Sequence, residues 1–151
     1  MKKIESFKVD HRKIMPGIYI SRVDGDVTTF DMRFKKPNNG EYLSNIEMHS
    51  FEHMFATYIR NSEIADFVIY FGPMGCQTGF YLLTRDISKD KVLEVVIDTL
   101  KKINLHQGNV FGASEIECGN YKNLNLDAAK SVADEYCKAL HLRSNDFIYE
   151  E

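Results

Sequence analysis

His49-Ser50-Phe51-Glu52-His53 reads as part of a helix because of what flanks it. Ser44 followed by Glu47 is a capping-box pair, in which each side chain satisfies an exposed backbone donor of the other, and Asn61-Ser62 supplies a stop. At about 100° per residue, Phe51, Met54, Phe55, Tyr58 and Ile59 share one arc, and His49, Glu52, His53, Ala56 and Arg60 share the opposite one. The first arc packs a core. The second sets two imidazoles one turn apart, where both can reach one metal ion, with a carboxylate beside them. Two histidines on a polar helix face are commonplace, but His-x-x-Glu-His is also the inverted zinc-peptidase pattern, so metal binding is expected.

A helix with one apolar arc needs a layer to pack on, and strand signals on both sides supply it. Residues 18–23 and 27–34 flank Asp24-Gly25, a favoured hairpin turn. In the second of these strands Phe30, Met32 and Phe34 alternate with Thr29, Asp31 and Arg33, which predicts one buried face and one face presenting charge. After the helix, residues 67–71 form a continuous apolar run, as a central strand would, and residues 79–84 resume as a strand. Ser88 caps a helix carrying Val92, Val95, Val96, Leu100 and Ile103 at helical spacing, and a last helix spans about residues 127–142. Residues 1–17 read as an extended lead-in, and 104–117 as loop or short strand. This order predicts an α+β fold, a mainly antiparallel sheet packed by helices in a two-layer sandwich, with residues 1–151 as one domain.

Composition narrows the function. Apolar residues make up 44% and charged residues 27%, as in ordinary globular proteins, and the net charge of -3 offers no basic field for nucleic acid or an acidic membrane surface. No apolar run is long enough to span a bilayer, and the lysine-rich start lacks the apolar stretch of a secretory signal, so a cytoplasmic location is expected. Three cysteines, an odd number, point away from a disulfide framework and toward thiol or metal chemistry.

Each cysteine has its own setting. Cys76 follows Gly72-Pro73-Met74-Gly75 between two strands, on a tight turn whose backbone can approach a ligand closely. Cys137 shares the apolar spacing of the last helix and is assigned to the core. Cys118, with Glu115 and Glu117, is a candidate for the third metal ligand that a pair of histidines lacks; spacing alone leaves the choice open. His106 and His141 have no constellation around them and are expected at the surface.

Several of these strings together resemble one family. His49-Ser-Phe-Glu52-His53, Gly72-Pro-Met-Gly-Cys76-Gln-Thr-Gly79, Glu5-Ser6-Phe7 with Asp10-His11, Phe30-Asp-Met-Arg33-Phe34 and Cys118-Gly119 are similar, in order, to S-ribosylhomocysteine lyases of the LuxS family. The resemblance implies a cytosolic homodimer with active sites at the subunit interface. Each site would hold one divalent metal, Fe(II) with Zn or Co able to substitute, on His49, His53 and Cys118. It also implies the substrate, S-ribosylhomocysteine of the activated methyl cycle, and the products, homocysteine and the dihydroxypentanedione precursor of the autoinducer-2 quorum-sensing signal. Cys76 would act as base in the first carbonyl shift, and Glu52 in the second and in the elimination. Ser6, His11 and Arg33 would line the site, Ser6 and His11 from the partner subunit, and Arg60 would point into the pocket from the helix. The chain departs from the family's pattern at Tyr70 and Gly72, where many members carry an acid and a serine, and the segment after Leu142 carries no recognised motif of the family. Two readings from other classes stand beside this one: a small metallopeptidase on the inverted motif, and a binding domain merely stapled by its metal.

Overall fold

The capping box forms as read. In a computed structural model describing residues 1–151, the Ser44 hydroxyl accepts the Glu47 amide at 3.1 Å and the Glu47 carboxylate accepts the Ser44 amide at 2.9 Å. Helix α1 follows over Asn45–Ile59 and buries Phe51, Met54, Phe55 and Ile59, the arc expected to pack. Ser50 is buried too, and its hydroxyl accepts the Asn125 amide at 2.9 Å, which docks the start of the last helix onto α1.

Four strands make one antiparallel sheet: β1 Gly17–Asp24, β2 Val27–Arg33, β3 Val68–Pro73 and β4 Gly79–Arg85, in the order β1-β2-β4-β3. Helices α2, Lys89–Leu105, and α3, Leu126–His141, complete the other layer with α1. Ser88 and Asn125 cap them through side-chain oxygens. The α+β architecture is therefore the expected one. The lead-in holds a short 3-10 turn at Glu5–Phe7, and residues 106–120 are loop without a strand.

All three helices pack on one face of the sheet. That face contributes Ile18, Phe30, Met32, Phe71, Phe80 and Leu82 to a single core. Phe34 stacks on Tyr136 with ring centroids 3.8 Å apart, and Phe71 stacks on Phe80 at 5.0 Å. Burying such rings removes the largest apolar areas in the chain from water, and each is worth roughly 1.5–3 kcal/mol.

Two expectations fail on the sheet's other face. The run at residues 67–71 is an edge strand, not a central one, and Tyr70 is 55% exposed. An edge strand with one open face needs only part of its residues inside; here Val68, Phe71 and Gly72 are buried, and a register shift between Val68 and Tyr70 breaks the simple alternation. Asp31 and Arg33 do not present charge to solvent either, being 1% and 2% exposed. The segment after α3 causes this. It runs alongside β1, with the Ile20 amide donating to the Phe147 carbonyl at 2.8 Å, and lays Tyr149 against Tyr19 with centroids 4.9 Å apart. The Tyr149 hydroxyl then donates to the Asp31 carboxylate at 2.7 Å.

Candidate active site

On α1 the two imidazoles turn their rings nearly perpendicular, 88° apart with centroids at 4.6 Å. Each Nδ1 is occupied from outside the helix. His53 Nδ1 donates to the Phe111 carbonyl at 2.8 Å, and His49 Nδ1 donates to Asn123 Oδ1. Asn123 is held in turn, its Nδ2 donating to Asn45 Oδ1 at 2.7 Å. With Nδ1 protonated, both rings offer Nε2 as a lone-pair donor, which is the tautomer a metal requires.

The third candidate ligand comes from the loop. Cys118 Sγ lies 3.4 Å from His49 Nε2, and one donor atom each of His49, His53 and Cys118 falls within 4.8 Å of the others. The Asn120 amide donates to the same sulfur at 3.4 Å, a contact that favours a thiolate. Glu115 and Glu117 are exposed, and the Glu117 carboxylate accepts the Ser114 hydroxyl at 2.6 Å. Of the three candidates that spacing left open, the fold brings Cys118 to the histidines and leaves both glutamates outside. Two imidazoles and a thiolate would fit a divalent first-row ion. Glu52 is half-buried and forms no ion pair.

The loop that orients His53 is built for close approach. Gly112 has φ of +71°, and a Cβ there would sit 3.0 Å from His53 Nδ1. His106 also belongs to this support rather than to the bare surface. Its Nδ1 pairs with the Tyr58 hydroxyl at 2.8 Å and its Nε2 donates to the Asn109 carbonyl at 2.9 Å, while Phe111 packs against both rings. No periodicity signals this cluster, because its members come together only when the loop folds back on α1. His141 is exposed, as expected, and Cys137 sits at the core's margin, where burial raises its thiol pKa.

Cys76 lies in a different part of the molecule. It sits in the β3–β4 turn and borders a cavity of about 360 Å³ shared with His11, Asn38, Tyr42 and Thr78. Its sulfur is 3.0 Å from Thr78 Oγ1, and that oxygen accepts a hydrogen bond from Arg33 Nη1 at 2.8 Å. The Thr78 hydroxyl still holds a proton that it can donate to a Cys76 thiolate. Arg33 is also clamped by Asp31, Nη2 to Oδ2 at 2.6 Å and Nε to Oδ1 at 3.0 Å. Burial works against its charge, but the Asp31 carboxylate outweighs this and raises its pKa. Thr78 carried no flag in the sequence; its place in the turn after Cys76 was the only available signal.

Within one chain the metal group and the Cys76 group share no residue. The first is built on α1 and the loop before α3; the second is lined by the loop that leads into α1 and by the β3–β4 turn, with His11. His11, expected from the opposite subunit, lines the same cavity as Cys76 in the same chain, and its Nδ1 donates to the Val9 carbonyl at 3.0 Å, leaving Nε2 free. Ser6 is half-buried in the first turn, apart from either group. Arg60 is exposed, and its Nη2 donates to the Ile69 carbonyl at 2.8 Å across to β3. Tyr70 and Gly72 are coupled, because any Cβ at Gly72 would overlap the Tyr70 phenol.

Comparison with known proteins finds one family. An S-ribosylhomocysteine lyase from Finegoldia magna is 41% identical over 157 aligned residues, covering all of both chains. One from Clostridium beijerinckii is 40% identical over 99% of each chain, and one from Borreliella afzelii is 45% identical over 93% of this chain and 94% of its own. The family description S-Ribosylhomocysteinase (LuxS) matches residues 4–146. A likeness that spans nearly every residue and includes both the imidazole pair and the thiol turn leaves one conclusion: the chain belongs to the S-ribosylhomocysteinase (LuxS) family.

Proposed function

We propose that this chain is an S-ribosylhomocysteine lyase, a carbon-sulfur lyase that releases homocysteine and dihydroxypentanedione, and that it works as a homodimer. The observation that carries the reading is the donor set. A peptidase of the inverted motif needs a carboxylate as third ligand, and here the third donor is the Cys118 sulfur while Glu115 and Glu117 face elsewhere. A metal that only stapled a binding domain would leave the exposed Cys76 thiol, linked through Thr78 to the buried Arg33, without a purpose.

The chemistry sets what the residues must do. The substrate carbonyl starts at C1 of the ribose and the thioether is on C5, so elimination requires the carbonyl at C3, where C4 becomes acidic. Two proton shifts move it there, from C2 to C1 and then from C3 to C2; loss of the C4 proton then expels the homocysteine sulfur from C5. A divalent ion on His49, His53 and Cys118 supplies Lewis-acid polarisation of the sugar oxygens. Cys76, assisted by the Thr78 proton, takes and returns the proton of the first shift. Glu52, unpaired beside the histidines, serves the second shift and the elimination. His11 presents Nε2 to the cavity, and Ser6 and Arg33 complete the binding of substrate. The resident ion is assigned as Fe(II), with Zn or Co as substitutes that suit the same donors.

The separation of the two groups within one chain argues for the dimer. A substrate that must meet both Cys76 and Glu52 is served when the Cys76 group of one subunit meets the metal group of the other across a two-fold interface. No helix is long and apolar enough to cross a membrane. Working thiols favour a reducing compartment, the cytoplasm.

The test is release of free thiol from S-ribosylhomocysteine by anaerobically purified protein, with metal measured on the same sample. Release that scales with about one ion per chain is the expected result. A folded, metal-loaded dimer that releases none would reject the assignment.

A further inference from the structure

We infer that Tyr149, in the C-terminal segment that follows α3, is a positioning residue for Cys76, acting through the chain of hydrogen bonds Tyr149–Asp31–Arg33–Thr78–Cys76. The inference rests on the reading of Cys76 as the first base.

Two donors converge on Asp31, and one of them also reaches onward to Thr78. The Tyr149 hydroxyl donates to Asp31 Oδ2 at 2.7 Å, and Arg33 donates to both Asp31 oxygens at 2.6 and 3.0 Å. Arg33 Nη1 donates to Thr78 Oγ1 at 2.8 Å, and that oxygen lies 3.0 Å from Cys76 Sγ, a contact in which the hydroxyl is the donor whenever Cys76 is a thiolate. Asp31, Arg33 and Thr78 are all buried, so water does not screen the links and each bond polarises its neighbour. The phenol shares the Asp31 charge. Without it the carboxylate draws the guanidinium harder, and the hold of Arg33 on Thr78 slackens.

The segment is shaped to deliver that hydroxyl. Phe147 adopts φ of +66°, a left-handed conformation that costs a residue with a side chain, and the surrounding contacts hold it there. Its ring is buried edge-on to Phe30 with centroids 6.0 Å apart, the Lys89 ammonium lies 5.4 Å above it, and its carbonyl accepts the Ile20 amide. The turn two residues before Tyr149 aims the phenol under the sheet, where it stacks on Tyr19. Burial, then the Asp31 charge, raise the Tyr149 pKa, so the hydroxyl remains a donor throughout the working range.

The experiment compares Tyr149→Phe with Tyr19→Phe in the full-length, metal-loaded protein. Tyr149→Phe keeps the stacked ring and removes only the link to Asp31. Tyr19→Phe removes a hydroxyl of the same stack that donates instead to the Met15 carbonyl. Two quantities are read: kcat and KM for thiol release, and the iodoacetamide alkylation rate of each cysteine resolved by peptide mass spectrometry. Tyr149→Phe is expected to lower kcat and Cys76 alkylation together by about fivefold, with KM within twofold and Cys137 alkylation unchanged. Tyr19→Phe should alkylate Cys76 at the parent rate. Parent-level alkylation of Cys76 in Tyr149→Phe would overturn the inference, as would equal slowing in both variants, which would mark a general loosening of the sheet. Cys76→Ala is assayed alongside. If it stays active, the reading of Cys76 as a base fails, while the alkylation rates still decide whether the link exists.

Discussion

Arg33 grips Asp31 two residues back on the same strand through a bidentate pair that is almost wholly buried, with Nη2–Oδ2 at 2.6 Å and Nε–Oδ1 at 3.0 Å. Residues i and i+2 point to the same face of a strand, so a short charged couplet in β2 becomes a closed ion pair once the C-terminal segment covers that face. The pair leaves Arg33 one free edge, and Thr78 occupies it.

Removing one partner of such a pair strands a charge in the interior. Asp31→Ala should lower unfolding free energy by about 3–5 kcal/mol, read from urea midpoints. The double change Asp31→Leu with Arg33→Met should regain most of that stability and remain inactive, since the link to Cys76 is gone. A double variant no more stable than the single would show that the ion pair holds the sheet rather than the thiol.

Metal retention should follow the loop that closes on α1. Cys118→Ser is expected to lose its ion during desalting while Cys137→Ser keeps a full complement, both measured by elemental analysis. Gly112→Ala crowds His53 and forces a left-handed backbone, so its metal affinity should fall roughly 10-fold to 100-fold, as for other changes behind a ligand. Retention by Cys118→Ser would mean that a different group supplies the third bond.

Subunit mixing tests how the site is assembled. If one chain gives the metal group and its partner the Cys76 group, mixing inactive Cys76→Ala with inactive His53→Ala should restore about a quarter of the parent activity, from one intact site in half of the dimers. Cys76→Ala mixed with His11→Ala should restore none, because both residues line one cavity of one chain. Recovery in the second mixture, with exchange verified by mass, would place His11 across the interface.

Alkali should unfold the protein through its tyrosines. Burial is the leading cause that raises the pKa of Tyr19, Tyr81, Tyr136 and Tyr149 above the ordinary 10.0. The folded chain therefore keeps protons that the unfolded chain releases. The stability this represents is complete below pH 10 and drains away as pH climbs toward the raised values. Urea midpoints should be level from pH 8 to about 9.5 and fall steeply beyond, and Tyr149→Phe should make that fall shallower. An unchanged slope would show that Tyr149 ionises freely while folded.

Local pattern was enough for the elements and for much of the chemistry. The capping box and the helical spacing placed His49, Glu52 and His53 on one side of α1, and the Asp24-Gly25 turn placed the first hairpin, because both depend on neighbours within a few residues. The strings around Cys76 and Cys118 likewise carried the family. What tertiary structure decided was everything that depends on a distant segment. The choice of Cys118 over Glu115 and Glu117 came from how the 106–123 loop closes on α1. The burial of Asp31 and Arg33, the grouping of His11 with Cys76, and the turning of Arg60 toward Ile69 came from segments dozens of residues away. A residue's period along the chain sets which face it occupies. Whether that face meets water, a second layer or the chain's own tail is set by long-range packing, which no local spacing encodes.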